Sequence, residues 1–137
     1  MQRAETKARV RALQLLYAWD LSGRPSLQTV IERVAAIYDE RPTTTDRPTE
    51  LAGLAIAGVH EFDRQVAAAA EHWRLERVGV VERNILRLAL AELAEGTTPR
   101  RVVIDEAVKL AHWFAGAKAP GFVNGVLDAA ARESGVL

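Results

Sequence analysis

Residues 80–96, with the sequence VVERNILRLALAELAEG, decide the fold class. Apolar side chains recur there every three or four residues, which is the spacing of one face of an α-helix. The positions on that face are Val81, Ile85, Leu88, Ala89 and Leu93. Gly96 follows the last of them, and glycine is typical of the residue just after a helix end. The stretch therefore predicts a helix over residues 80–95 with one side in a core.

The same helical spacing recurs along most of the chain, and we find no clean alternating run of the kind that forms a strand. Five further helices are predicted at about 4–21, 27–41, 49–72, 102–114 and 120–134. Ser26 and Thr49 are suitable N-caps for the second and third of these helices, and Pro42 ends the second. Residues 73–79 are predicted to form a turn. The sequence thus predicts an all-α bundle of about six or seven helices.

The polar segment RPTTTDRP at residues 41–48 is too short to separate independent domains, so we read it as a loop between packed helices. We predict a single domain over 1–137, with an N-terminal half of about 1–72 packed against a C-terminal half of about 73–137. Six apolar side chains are expected to form its core: Leu13, Leu16, Ile85, Leu88, Leu110 and Phe114.

Composition limits the function. The 18 basic and 18 acidic side chains cancel, so no global positive field attracts nucleic acid, and any such affinity must be local or depend on a partner. The chain has no cysteine, which excludes disulfides and thiolate metal sites. The N-terminal sequence lacks the apolar run of a secretory signal, and no stretch is long and apolar enough to span a membrane. We expect a cytoplasmic protein.

No motif carries catalytic chemistry. Gly53 and Gly58 have the outer spacing of a phosphate loop, but the lysine and hydroxyl residue that should follow are missing. The histidines have no partner at metal-ligand spacing. Asp105 and Glu106 are adjacent on a helix and point in different directions, so they do not form a paired acid and base. We therefore expect no enzyme activity, no metal and no cofactor.

Two features carry candidate binding residues. Arg3, Lys7, Arg9 and Arg11 oppose only Glu5 in the first eleven residues, so this basic helix end either binds phosphates or is a solvated terminus. Phe122 follows Lys118 and begins the last helix, where its ring either stacks on a base or anchors the helix in the core. The residues alone leave both alternatives open.

Three segments together resemble the NusB family. They are RALQLLYAWDLSG at residues 11–23, ERNILRLALAEL at 82–93 with VVIDEAVKLAHWFA at 102–115, and GFVNGVLDAAA at 121–131. The resemblance implies an all-α protein in two packed halves. It also implies pairing with the small-subunit ribosomal protein that acts as NusE. That pair binds the boxA element of ribosomal RNA transcripts and supports antitermination by RNA polymerase.

The resemblance also implies roles for single residues. Lys7 and Arg9 fall on the RNA surface with Arg3 and Arg11 as neighbours. Phe122 falls on a position linked to RNA contact, and Lys118 is the cation that the sequence places beside it. Tyr17 and Glu82 match positions linked to the complex, where each faces either the RNA or the protein, and we assign them to partner binding. Many relatives carry a denser arginine run before the first helix, so this chain is expected to bind RNA weakly without its partner.

One alternative is the related RNA-binding domain of ribosomal RNA methyltransferases, whose FxNAVLR ending differs from this chain at Gly125 and Asp128. Another is a helical protein-interaction module without RNA binding. Family members occur as monomers and as homodimers, and the sequence does not decide between these states.

Overall fold

The structure, a computed structural model, describes residues 3–70 and 78–133. In these residues the chain forms seven α-helices and no β-strand. They are α1 (Ala4–Leu21), α2 (Leu27–Ile37), α3 (Arg47–Ala57), α4 (Val59–Ala69), α5 (Val80–Glu95), α6 (Arg100–Phe114) and α7 (Ala119–Glu133). The expected all-α fold is confirmed. The boundary between the two predicted halves, and most of the turn at 73–79, lie outside the described residues.

The central helix is α5. It contacts α1, α3, α4, α6 and α7, and every residue from Asn84 to Glu92 is buried. The sequence predicted a helix with one buried face, but α5 is surrounded on all sides along its middle. Polar side chains in this stretch are therefore buried as well and need partners inside the protein.

The helix ends follow local sequence signals. The Ser26 hydroxyl accepts a hydrogen bond from the Thr29 N–H at 3.2 Å, which confirms the predicted cap of α2. Gly96 ends α5 in the left-handed conformation with φ of 75°, as its position predicted. The prediction from the sequence that Thr49 caps α3 is wrong. Asp46 caps this helix through the Thr49 N–H, because α3 begins two residues earlier, at Arg47.

The prediction of a single helix over 49–72 is also wrong. The helix is interrupted at Gly58, which separates α3 from α4, and α4 ends at Ala69. A Cβ atom at Gly58 would stand 2.5 Å from the ring of Phe62, which is buried. The small residue therefore lets Phe62 pack closely against the junction of the two helices.

One hydrophobic cluster contains residues from all seven helices. Leu13, Leu16, Ile85, Leu88 and Leu110 are buried in it, as predicted. Phe114 is not a core residue, because 49% of it is exposed. It is the last residue of α6, and its ring lies in a surface groove beside α1 and α2.

Candidate nucleic-acid interface

The basic start of α1 divides into exposed and buried cations. Arg3 and Lys7 are exposed and stand one helical turn apart on the same side of α1. Arg11 is partly buried, and its guanidinium donates two hydrogen bonds to the Glu40 carboxylate at 2.8 and 2.9 Å and lies 4.7 Å from the centre of the Tyr38 ring. Arg3 and Lys7 are therefore the cations of this set that face solvent most openly.

Arg9 points into the protein instead. Its side chain is 8% exposed, and it donates two parallel hydrogen bonds to Glu92 at 2.7 and 2.8 Å and a third to Glu106 at 3.0 Å. Thr6 also donates to Glu106. These bonds to Glu92 and Glu106 raise the pKa of Arg9 although burial opposes the shift. The surface position expected for Arg9 is wrong, because its guanidinium joins α1 to α5 and α6.

The sequence contained a signal for this placement. Arg9 precedes Leu13 and Leu16 at spacings of four and seven residues, so it belongs to the face of α1 that enters the core. A basic residue in register with buried leucines needs carboxylates at that depth, and the two that it finds lie more than 80 residues further along the chain.

A wide cleft of about 790 Å³ lies next to this ion pair, between the start of α1 and the outer face of α6. Arg3 and Arg9 line it from α1, and Lys109 and Trp113 line it from α6. The structure thus places the first cation of the sequence on the same cleft as an exposed tryptophan that sequence reasoning missed. Trp113 could have been found, because it falls on the side of α6 away from the predicted core face.

Tyr17 lies on a different surface, in a groove of about 370 Å³ that is lined mainly by apolar side chains of α1 and α2, together with Val81 and Phe114. We call it the apolar groove. Its most exposed members are Tyr17, Ile37, Tyr38 and Phe114, which range from 42% to 76% exposed. Val81 also lines this groove, and Glu82 follows it in the chain. The Glu82 carboxylate accepts a hydrogen bond from the Gly79 N–H at 2.6 Å, so it also caps the start of α5.

Lys118 and Phe122 lie together at the start of α7. Lys118 is exposed, and the Phe122 N–H donates a long hydrogen bond of 3.5 Å to the Lys118 carbonyl. Phe122 is partly buried and packs against the hydrophobic cluster, whereas its neighbour Val123 is fully buried. The ring therefore combines an anchored side with a side that reaches the surface.

No group of three or more His, Asp or Glu side chains within residues 3–70 and 78–133 is arranged to hold a metal ion. None of the helices in those residues has the length and hydropathy needed to cross a membrane.

The NusB family model matches residues 6–132. The chain belongs to the NusB family. The resemblance seen in the three sequence segments is thereby confirmed. The transcription antitermination protein NusB of Solibacter usitatus is 42% identical over 128 residues, which cover 93% of this chain and 88% of that protein.

Two solved structures of NusB proteins share the fold. NusB of T. maritima superposes with a TM-score of 0.80 at 26% identity and covers 97% of this chain and 94% of its own. A chain from the crystal structure of the antitermination factors NusB and NusE in complex with dsRNA has a TM-score of 0.79 at 31% identity. The match covers 97% of this chain and 99% of that one. The fold of this NusB family member is thus the one found in a complex with RNA and a protein partner.

Proposed function

We propose that this chain is a transcription antitermination factor that binds boxA RNA of ribosomal RNA transcripts together with the ribosomal protein that acts as NusE. The observation that carries this proposal is the near-complete match to the fold of a chain solved with NusE and dsRNA. The pair then acts with RNA polymerase in the cytoplasm, as a binding factor and not as an enzyme. The chain works as one unit, in which the halves 1–72 and 73–137 share a core.

The RNA surface has two parts in this proposal. Arg3 and Lys7 contact phosphates at the start of α1, with Arg11 beside them, and Arg9 holds α1 in place from inside. Lys118 and Phe122 form the second part, where the lysine contacts a phosphate and the partly exposed ring stacks on a base. These few exposed cations are consistent with weak binding by the protein alone.

The apolar groove is the proposed contact for the ribosomal protein. Aromatic side chains at the centre of an exposed apolar patch are the usual anchors of protein interfaces. Tyr17 and Phe114 supply two such anchors, and Glu82, which follows Val81 of the groove in the chain, is proposed as a polar contact at its edge.

The first test compares boxA RNA binding by this chain alone and with the ribosomal protein. We expect the partner to increase RNA affinity at least tenfold, because the proposed RNA surface of this chain offers few exposed cations to phosphates and a second surface must contribute. Tenfold corresponds to about 1.4 kcal/mol of coupling between two sites. Filter binding at one fixed salt concentration measures both affinities. Equal affinities with and without the partner would contradict this arrangement.

A second test concerns Phe122 in that complex. Phe122→Ala is expected to lower boxA affinity by about five- to a hundredfold, because stacking of one base on an aromatic ring contributes about 1–3 kcal/mol. Val123→Ala is the matched control, because Val123 is the adjacent residue and is wholly buried. This control should lower the melting temperature without changing RNA affinity per folded molecule. If Phe122→Ala instead lowers the melting temperature and leaves RNA affinity per folded molecule unchanged, Phe122 is a core residue.

A further inference from the structure

Trp113 lies on the side of α6 that faces away from the core, and 40% of it is exposed. Thr98, Val102, Asp105, Lys109 and Trp113 follow one another at helical spacing and form one wall of the wide cleft. From Val102 to Trp113 this wall extends about 16 Å along α6, at 1.5 Å per residue, and Thr98 lies just before the helix. An exposed indole at the end of such a wall leaves a large apolar ring face available to a ligand.

The charged side chains that line the cleft are balanced in number, and two of the cations are exposed. Arg9 and Glu106 are held in buried ion pairs, so they add little to the surface of the cleft. The exposed cations of the lining are Arg3 and Lys109, and the exposed carboxylates are Glu5 and Asp105. A phosphate would therefore bind through a local contact with Arg3 or Lys109 and not through a general positive field of the cleft.

The Trp113 ring is held in place by its neighbours. Phe114 meets it edge to face, with ring centres 6.2 Å apart. The Lys109 ammonium lies 6.0 Å from the centre of the Trp113 ring and 2.8 Å from Glu106. An aromatic ring with a cation at its side is the combination that binds an unpaired base and its phosphate, because every base has a π-face and every nucleotide a negative charge.

We propose that Trp113 is a base-stacking residue for an unpaired base of the bound RNA, and that Lys109 and Arg3 contact the adjoining phosphates. The inference rests on the proposed function and adds a third contact to it. Trp113 and Arg3 line the same cleft, and Trp113 is followed along the chain by the loop with Lys118 and then by Phe122 of α7. In this proposal the RNA strand that contacts the starts of α1 and α7 also contacts the indole.

The experiment uses the complex with the ribosomal protein and a set of boxA RNAs, each with one abasic nucleotide. In the wild-type complex, loss of the base above Trp113 should lower affinity by roughly five- to a hundredfold. Trp113→Ala should cause a similar loss with intact RNA. Combined with the abasic RNA at that position, it should cause no additional loss, because both changes remove the same contact. Trp113→Phe keeps a ring and should retain most of the affinity.

The controls separate the outcomes. Trp113→Ala should leave the melting temperature and the affinity for the ribosomal protein unchanged. Tyr17→Ala should lower the affinity for the ribosomal protein. The stacking role would be overturned if Trp113→Ala bound RNA with wild-type affinity. It would also be overturned if the loss caused by Trp113→Ala added to the loss caused by the abasic nucleotide at every position. Either result would leave the proposed function intact. Loss of ribosomal protein binding in Trp113→Ala would overturn the stacking role in favour of a protein interface. A wild-type complex that does not bind boxA RNA refutes the proposed function and this inference together.

Discussion

Arg87→Ala is expected to destabilise the protein by about 3–5 kcal/mol, the usual cost of removing one partner from a buried ion pair. The Arg87 side chain is 2% exposed and joins three helices. It donates two parallel hydrogen bonds to Asp63 of α4 at 2.7 and 2.8 Å, and another to Asp20 of α1 at 2.8 Å. A further bond at 3.0 Å reaches the Asn84 side-chain oxygen. Without the guanidinium, Asp20 loses its main counter-charge in a setting with little water.

The measurement is urea unfolding at neutral pH, compared with Arg64→Ala. Arg64 also forms an ion pair, with Glu61, but more than half of each side chain is exposed. Removing this surface pair should destabilise the protein far less than Arg87→Ala, because solvent screens an exposed ion pair. Arg87→Lys should restore only part of the loss, because an ammonium cannot make the two parallel bonds to Asp63. A cost below about 1 kcal/mol for Arg87→Ala would mean that the interior tolerates the unpaired carboxylates.

The same bonds predict a dependence on acid. Burial alone would raise the pKa of Asp20, but hydrogen bonds and charge attraction from Arg87 outweigh it and lower that pKa below its ordinary value. A carboxyl with a lowered pKa in the folded state contributes stability that is complete above the unfolded pKa, about 4, and is lost as the pH falls through the folded value. The free energy of unfolding should therefore fall less steeply with acid in Arg87→Ala than in the wild type.

Sequence reasoning located helices well where a local signal marks both ends. The apolar face of α5, Gly96 at its end and Ser26 before α2 are signals of this kind, because caps and stops act within one helical turn. At the break between α3 and α4, Gly58 is a local stop signal, but the apolar pattern around it outweighs this signal. The apolar positions Leu51, Ala55, Val59, Phe62 and Val66 keep helical spacing through the junction, so the pattern continues although the helix does not.

Binding residues were harder to place, because their environment depends on contacts that are distant in the chain. The sequence and the family resemblance identified the basic start of α1, but neither gave the depth of each cation. Phe114 fits the core face of α6 by its spacing, yet it is the terminal residue of the helix and is 49% exposed at a surface groove. Helical spacing alone could place Trp113 on the outer side of α6, but it could not assign a role to the ring, because the opposite wall of the cleft comes from α1.

Arg9 provides the clearest contrast between the two kinds of cation in α1. Arg9→Ala is expected to cost about 3–5 kcal/mol of stability, because it leaves the carboxylate of Glu92, which is 2% exposed, without its partner inside the protein. Burial alone would raise the pKa of Glu106, but hydrogen bonds from Lys109 and Thr6 and the charge of Arg9 hold it below its ordinary value. Glu106 thus keeps other partners, whereas Glu92 depends on Arg9.

Lys7→Ala is the matched variant, because Lys7 carries the same charge two residues away and is exposed. Its stability should stay within about 0.5 kcal/mol of the wild type. If Lys7 neutralises one phosphate, the slope of log affinity against log salt should become shallower by about 0.7 for single-stranded RNA. Arg9→Ala should leave this slope unchanged per folded molecule, because its guanidinium already neutralises carboxylates and releases no counterion from RNA.

Urea unfolding and RNA binding over a series of salt concentrations, made on the same preparations, decide between the two roles. If Arg9→Ala is too unstable to bind RNA, Arg9→Lys replaces it, since lysine keeps the charge and loses the two parallel bonds to Glu92. We expect Arg9→Lys to be less stable than the wild type and to have the wild-type salt slope. A stable Arg9→Ala protein with a shallower slope would instead mean that Arg9 leaves Glu92 and turns outward to the phosphates when RNA binds.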